Sequence, residues 1–137
     1  MSIKYIEKVP NIDEFNTLSD SVGWGRTGEE IFKEAMKDTL FSICVYDDNK
    51  LIGYGRIIGD KTIFLHIHSV KVHPEYQGKK IGTKIMQEIL KKIDEYKEIN
   101  PDIRTYLGAA KDKEGFYEKF GFERRPNGDV GAGMILY

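Results

Sequence analysis

The 137-residue chain has the usual size of a single domain of roughly 100–200 residues, and its 40% hydrophobic and 31% charged residues are ordinary for a globular protein. Its formal net charge is −1 and its basic residues are scattered, so neither a nucleic-acid-binding surface nor a membrane span of ~20 apolar residues is indicated. The single cysteine, Cys44, excludes an internal disulfide, and the first residues carry no apolar signal region, so we expect a cytoplasmic protein.

Apolar periodicity divides the chain into alternating strands and helices without repeats or a linker, which predicts one domain spanning residues 1–137. In chain order we predict a strand over 2–9, helices over 12–21 and 28–39, strands over 40–47, 51–58 and 62–72, a helix over 80–96, a strand over 103–109, a short helix over 113–120 and a last strand over 131–137. The predicted fold class is therefore α/β, with helices packed on a mixed sheet.

The segment from Val70 to Thr83 runs from an apolar strand through a glycine-containing turn directly into the helix over 80–96. The first N–H groups of a helix have no intrahelical partner and lie at the positive end of the helix dipole. A turn of this kind is suited to hold a pyrophosphate group.

This turn reads Gln77-Gly-Lys-Lys-Ile-Gly82 and matches Gln-x-x-Gly/x-x-Gly, and a second segment reads Phe116-Tyr-Glu-Lys-Phe-Gly-Phe122. The two motifs, in this order, resemble those of the GCN5-related N-acetyltransferases, and the resemblance spans about residues 50–124. It implies a mostly antiparallel sheet with helices on both faces, and acetyl-CoA as cosubstrate. The coenzyme-binding residues that it implies are Val70, Lys71, Val72, Gln77, Gly78, Lys79, Lys80, Ile81, Gly82, Thr83 and Tyr117. Lys80 departs from the family pattern, which has glycine there. A residue with a side chain still donates its backbone N–H if it has helical angles, so coenzyme binding is expected to survive.

His66 and His68 lie two residues apart on the predicted fourth strand and therefore share one face. Together with the following Val-Lys-Val-His, they are similar to the stretch of arylalkylamine N-acetyltransferases that lines the amine site. An alkylammonium must lose a proton before it can attack, and imidazole, with a pKa of ~6.5, can accept that proton. Either histidine is a candidate base, and the alternative is that both are hydrogen-bonded sheet residues. His73 has the opposite strand parity, so a three-histidine metal site is not expected.

Tyr117 occupies the position at which the resembling family places a tyrosine beside the coenzyme sulfur. A phenol with a pKa of ~10 still holds its proton at neutral pH and could protonate a departing thiolate. The alternative is that Tyr117, like its neighbours Phe116 and Phe120, only packs the short helix.

In the resembling family the loop between the first two helices borders the acceptor pocket, so Trp24 and, more weakly, Phe32 are candidates for its apolar wall. The alternative is that Trp24 only anchors this loop to the core. Tyr54 and Arg56, beside glycines within a predicted strand, are weak site candidates.

The predicted partners are acetyl-CoA and a small primary amine, with no nucleic acid, membrane or metal. A polyamine, an aminoglycoside or a protein amine remains an alternative acceptor, and a non-catalytic CoA-binding module remains an alternative function. A homodimer paired through an exposed C-terminal strand is also left open.

Overall fold

The computed structural model describes residues 2–137, which form two compact units, one ending at Tyr106 and the other beginning at Leu107. The first unit holds β1 (Ile3–Glu7), α1 (Ile12–Ser21), α2 (Glu29–Lys37), β2 (Phe41–Asp47), β3 (Lys50–Gly59), β4 (Phe64–Val72), a 3-10 turn (Pro74–Tyr76), α3 (Ile81–Lys97) and β5 (Arg104–Tyr106). The second unit holds α4 (Glu114–Glu118).

The sheet has the order β1-β2-β3-β4-β5, with every neighbouring pair antiparallel except the parallel pair of β4 and β5. β1 is connected to β2 through α1 and α2, short turns connect β2 to β3 and β3 to β4, and the crossover through α3 returns the chain in the same direction as β4. The predicted fold class, a mixed and mostly antiparallel sheet, is confirmed.

Helices cover both faces of this sheet. On one face, Phe15 and Leu18 of α1 and Phe32 of α2 form a buried cluster with Cys44 and Tyr54 of the sheet. On the other face α3 comes close to β3, where a Cβ added at Gly55 would lie 3.0 Å from side-chain atoms of both Ile85 and Ile89. Glycine at this position therefore permits the close approach of helix and strand.

α1 begins where its sequence provides a reciprocal cap. The Asn11 side chain accepts a hydrogen bond from the backbone N–H of Glu14 at 2.8 Å, and the Glu14 carboxylate accepts one from the backbone N–H of Asn11 at 2.9 Å. Two otherwise unpaired donors are satisfied at the helix start.

The predicted strand over 131–137 is wrong, because these residues form no strand in the structure. Met134, Leu136 and Tyr137 are fully or almost fully exposed. Within residues 107–137 the backbone ladder is limited to one bridge, between Asn127 and Val130. A strand needs a hydrogen-bonding neighbour, which local apolar character alone does not supply.

Cys44 lies in β2 and is completely buried, and burial raises the pKa of its thiol to about 12. None of the helices within residues 2–137 is long and apolar enough to cross a membrane.

Candidate active site

The turn between β4 and α3 presents a group of backbone donors. Gly78 has φ of 78°, and a Cβ added there would meet nothing within 4 Å, so the backbone is open on that side. The first bond of α3 runs from the Lys84 N–H to the Lys80 carbonyl. The N–H groups of Ile81, Gly82 and Thr83 precede it and are the unpaired donors of the helix start. The turn therefore fits an anionic group such as a pyrophosphate.

Lys80 adopts φ of 63° and ψ of 20°, which is the left-handed region. Lys80 therefore does not have the right-handed helical angles under which the sequence analysis expected its N–H to be donated. Its conformation is the one that glycine adopts most easily, and a residue with a Cβ pays about 1–2 kcal/mol for it. The lysine therefore keeps the shape of a glycine turn at a cost in stability.

The side chains around the turn have different partners. Gln77 donates from Nε2 to the carbonyl of Val72 at 2.9 Å, which ties the turn to the end of β4. Lys79 lies with Nζ 5.5 Å from the centre of the Tyr76 ring, and Lys84 pairs with Glu88 at 3.6 Å. His73 accepts the N–H of Glu75 at its Nδ1 and so caps the 3-10 turn.

β4 is bulged immediately before this turn. Tyr54 pairs with Lys71 and Arg56 with His68, so that two residues of β4, Ser69 and Val70, lie opposite the single residue Gly55. Ser69 adopts φ of 59° at the bulge. A bulge leaves ladder groups unpaired and changes which face later side chains occupy. The main chain of Val70–Val72, proposed from the sequence to contact the coenzyme, follows this break directly.

The two histidines of β4 lie side by side. The centroids of the His66 and His68 rings are 5.7 Å apart. Loss of surrounding water lowers the pKa of both, and the nearby Arg56 guanidinium lowers both further, so both are neutral at pH 7. The Ser69 hydroxyl lies 2.8 Å from Nδ1 of His68. Because that hydroxyl can accept as well as donate, His68 can take a proton at Nε2 while Nδ1 stays hydrogen-bonded.

Lys71 lies on the same face as the two histidines, because the bulge reverses the alternation. Its side chain is buried, donates from Nζ to the Ser19 hydroxyl at 2.6 Å and lies 3.8 Å from the centre of the Phe15 ring. Desolvation, followed by the charge of Arg56, lowers the pKa of Lys71 to about 8. The resemblance implied Lys71 as a coenzyme-binding residue and did not indicate this buried ammonium.

Arg56 is a second charged residue of this face that sequence reasoning left as a weak candidate. Its Nη1 donates to the Ala35 carbonyl at 3.3 Å and to the Thr39 hydroxyl at 3.0 Å, at the end of α2. Its Nε is buried and has no hydrogen-bond partner. Its pairing with His68 across two strands was not visible before the register was known.

Trp24 lies in the loop between α1 and α2 and is about half exposed, with its ring centre 5.2 Å from Nζ of Lys71. Asn16 anchors this loop through its amide, which donates to the Thr27 carbonyl and accepts the Thr27 N–H. Trp24 is therefore placed beside the charged face and remains a candidate for an acceptor wall.

Tyr54 and Phe32 are corrections to the sequence analysis. Tyr54 is completely buried, with its hydroxyl 2.7 Å from the Ser42 hydroxyl, and Phe32 packs on Phe15 with ring centroids 5.0 Å apart. Both belong to the core, because the rings of Tyr54 on β3 and Phe32 on α2 pack against Phe15 of α1 and are covered from solvent.

Tyr117 lies in α4, within the second unit. Its ring packs edge-on against Phe116 with centroids 5.1 Å apart, and burial raises the pKa of its hydroxyl. The phenol is therefore protonated at neutral pH and can act as a proton donor. Phe116 also packs on Phe120, at 5.3 Å.

The arrangement in the first unit is suited to acid–base chemistry. The neutral imidazoles of His66 and His68 lie on β4, and β4 leads into the anion-binding turn. Within residues 2–137, His, Cys, Asp and Glu side chains do not form a group of three that could hold a metal ion.

Known proteins are similar to this chain in sequence or in fold. Residues 23–135 match the acetyltransferase (GNAT) domain family. An uncharacterized N-acetyltransferase, ycf52, of Porphyra purpurea is 31% identical over 97% of this chain and 76% of its own. A protein of unknown function from meticillin-resistant Staphylococcus aureus has a TM-score of 0.86 at 29% identity, over 99% of this chain and 100% of that one. Arabidopsis thaliana Naa50, in complex with the bisubstrate analogue CoA-Ac-MVNAL, has the same fold, with a TM-score of 0.72 at 20% identity over 90% and 85% of the two chains.

Proposed function

The chain belongs to the GNAT acetyltransferase family, and from that premise we propose that it transfers the acetyl group of acetyl-CoA to a primary amine. The observation that carries the proposal is the layout of β4. One strand holds the His66–His68 pair, then the bulge at Ser69, and then leads into the turn with its unpaired donors. A proton acceptor and an anion-binding turn thus lie at the two ends of one rigid element.

Acetyl-CoA fits the turn by its chemistry. The pyrophosphate would meet the N–H groups that start α3 and the open backbone at Gly78, with Lys79 and Lys80 adding positive charge nearby. The main chain of Val70–Val72 is proposed to lie along the pantetheine and thioester. When bound, acetyl-CoA supplies an activated acyl group as a thioester.

The residues of the chain would prepare the amine. A neutral imidazole of His66 or His68, directly or through water, would take the proton of the ammonium, because their lowered pKa values leave both rings able to accept it at pH 7. An N–H freed by the β4 bulge would stabilise the charge that develops on the thioester oxygen. Tyr117, whose hydroxyl retains its proton, would donate it to the departing thiolate.

The proposed reaction is direct attack of the amine in a ternary complex, without an acyl-enzyme. Cys44 is the one cysteine, and it is buried with its thiol pKa raised to about 12, which suits it poorly as a nucleophile.

The test is release of free CoA thiol from acetyl-CoA in the presence of primary amines, with the rate without acceptor subtracted, alongside acetyl-CoA binding by calorimetry. Acceptor-dependent release supports transfer. Tight binding of acetyl-CoA without release for any amine class would instead indicate a CoA-binding module.

A further inference from the structure

Four nitrogen-bearing side chains share the α1 and α2 face of strands β3 and β4. Arg56 lies directly across from His68, Lys71 directly across from Tyr54, and His66 directly across from Ile58. Residues directly opposite each other on paired strands have Cβ atoms about 4.5–5.5 Å apart and lie on the same face. Arg56 and Lys71, the partners of His68 and Tyr54, therefore both place positive charge on this face.

Asp38 is an acidic residue in the lining of a cleft beside Arg56, but carboxylates of the described residues do not contribute to the pKa shifts on this face. Among residues 2–137, the charged groups that influence the pKa values of His66, His68 and Lys71 are these same side chains and Arg56, and none of them is acidic. Asp20, next to Ser19 in α1, is paired with Arg26 at 2.8 Å.

The protein leaves some donors of this face unused. Arg56 uses Nη1 for the end of α2, whereas its Nε is buried without a partner. Lys71 has the Ser19 hydroxyl as the hydrogen-bond acceptor of its ammonium. An unsatisfied guanidinium nitrogen inside a protein calls for a partner, and carboxylate and phosphate are the groups whose geometry matches it.

A cleft of about 570 Å³ opens beside this face and is lined by Arg56 and Ile58, the strand partners of the two histidines, together with the end of α2. This volume lies in the range of small-molecule sites, roughly 300–1,000 Å³. Lys37 and Asp38, both exposed, also line it. Lys37 is paired with Glu34 at 2.7 Å, so Asp38 contributes a negative charge to the lining. The cleft could hold the body of a small acceptor with its amine toward the histidines.

We propose that the acceptor is a primary amine that carries a carboxylate or phosphate a few bonds from its nitrogen, with Arg56 binding the anion beside His68. The inference rests on the proposed function. Lys71 contributes its charge from behind the face, since its buried ammonium strengthens the field without needing to touch the ligand. α-Amino acids and aminoalkyl phosphates fit this description. Polyamines and aminoglycosides do not, because each adds positive charge to a positive face.

Anion binding can be tested without turnover, because the chain contains only three histidines. Histidine ring protons are followed by NMR as inorganic phosphate or acetate is added to the full chain. We expect the signals of His66 and His68 to shift and their pKa values to rise, whereas His73, at the turn before α3, reports any anion bound there. In Arg56→Met, the anion affinity measured from the shifts of His66 and His68 should be at least about tenfold lower, because charge-assisted hydrogen bonds to the anion are lost. Arg104→Met, an exposed arginine of β5, is the matched control and should respond like wild type.

Because Arg56 also ties down α2, Lys71→Met provides a second variant in which no hydrogen bond to α2 is lost. It should weaken the anion response while leaving the fold intact by thermal unfolding. Unchanged histidine signals with both anions, or equal responses in wild type and both variants, would overturn the proposal.

Matched acceptor pairs then test specificity and separate the two anions. Phenylalanine is compared with phenethylamine, and phosphoethanolamine with ethanolamine, by thiol release. We expect kcat/KM to be at least about tenfold higher for the anionic member of one pair. A preference for the amine without the anion would overturn the inference while leaving acetyl transfer intact. Absence of turnover with all four, alongside anion shifts at His66 and His68, would count against the proposed function and not against the anion site.

Discussion

The ammonium of Lys71 lies 3.8 Å from the centre of the Phe15 ring, so a buried cation rests on an aromatic face inside the molecule. Trp24 and Tyr54 also approach it, with ring centres at 5.2 and 5.8 Å. The rings compensate part of the lost hydration, but the low pKa of about 8 indicates that the charge is still costly.

Replacing this charge should therefore stabilise the fold. Lys71→Met places an unbranched apolar side chain of similar length among the aromatic rings and removes the charge. We expect its free energy of unfolding at pH 7 to be higher than that of wild type by about 2 kcal/mol. The unfolded chain binds the lysine proton more tightly, with a pKa near 10.5, than the folded chain does at about 8. The penalty is complete below pH 8 and disappears as pH rises through 10.5.

Urea unfolding at pH 7 and at pH 10 measures this effect, and the gain from Lys71→Met should shrink at the higher pH. Lys92→Met is the matched control, because Lys92 also lies near two aromatic rings but pairs with Glu95 and should give no such gain. A variant less stable than wild type at both pH values would show that the ammonium stabilises the fold.

Loss of the Tyr117 hydroxyl should affect turnover and not coenzyme binding. Tyr117→Phe preserves the packing on Phe116 and Phe122 but removes the proton donor, and we expect kcat to fall by about 100-fold or more. The acetyl-CoA dissociation constant should stay within roughly twofold of wild type. Tyr96→Phe, a buried tyrosine of α3, serves as the control. Equal losses of turnover and affinity in Tyr117→Phe would mean that Tyr117 is structural.

The pH profile should report the histidine pair. Because the pKa of both rings is lowered from 6.5, the base is neutral at pH 7, and kcat/KM should decline only as the pH falls below 6.5. Replacing the base by glutamine, in His66→Gln or His68→Gln, should remove this acidic limb and lower kcat/KM. His73→Gln should retain the limb, since His73 caps the 3-10 turn. An acidic limb that persists in the double variant His66→Gln/His68→Gln would assign it to another group.

Lys80 offers a direct test of the turn. Lys80→Gly removes the cost of the left-handed conformation at φ of 63°, but glycine also has greater conformational entropy in the unfolded chain, which opposes this gain. The net result should be an increase of about 0.5–1 kcal/mol in the free energy of unfolding. Acetyl-CoA should still bind, because the backbone donors are retained. Lys79→Gly changes the preceding lysine, which lacks a positive φ, and should lower stability instead. Destabilisation by both substitutions, in thermal unfolding, would contradict the assigned strain.

Local signals in the sequence were sufficient for most of the first unit. Apolar periodicity predicted α1 over residues 12–21 as observed, and the ends of β2, β3 and β4 lie within two residues of the prediction. Each of these elements has strong patterning bounded by turn residues such as Asp48 or Pro74. The shared face of His66 and His68 followed from the same alternation.

Features that depend on pairing between strands could not be predicted in this way. The bulge at Ser69 is fixed by the register of β3 and β4. It places Lys71 on the same face as His66 and His68, whereas strict alternation along β4 predicts the opposite face. Because of this bulge, strand parity does not separate His73 from His66 and His68, as the sequence analysis assumed. His73 lies beyond β4, where its side chain caps the 3-10 turn. The apolar residues at 131–137 suggested a strand, but apolar character does not provide a partner.

Identification of the product is the most direct test of the central claim. Wild-type protein is incubated with acetyl-CoA and each of the four matched amines, and the N-acetylated amine is quantified by mass spectrometry together with free CoA thiol. Acetyl transfer predicts acetylated amine in an amount equal to the thiol released above the rate without acceptor. Thiol release without acetylated amine, or bound acetyl-CoA with no product for any amine, would contradict it.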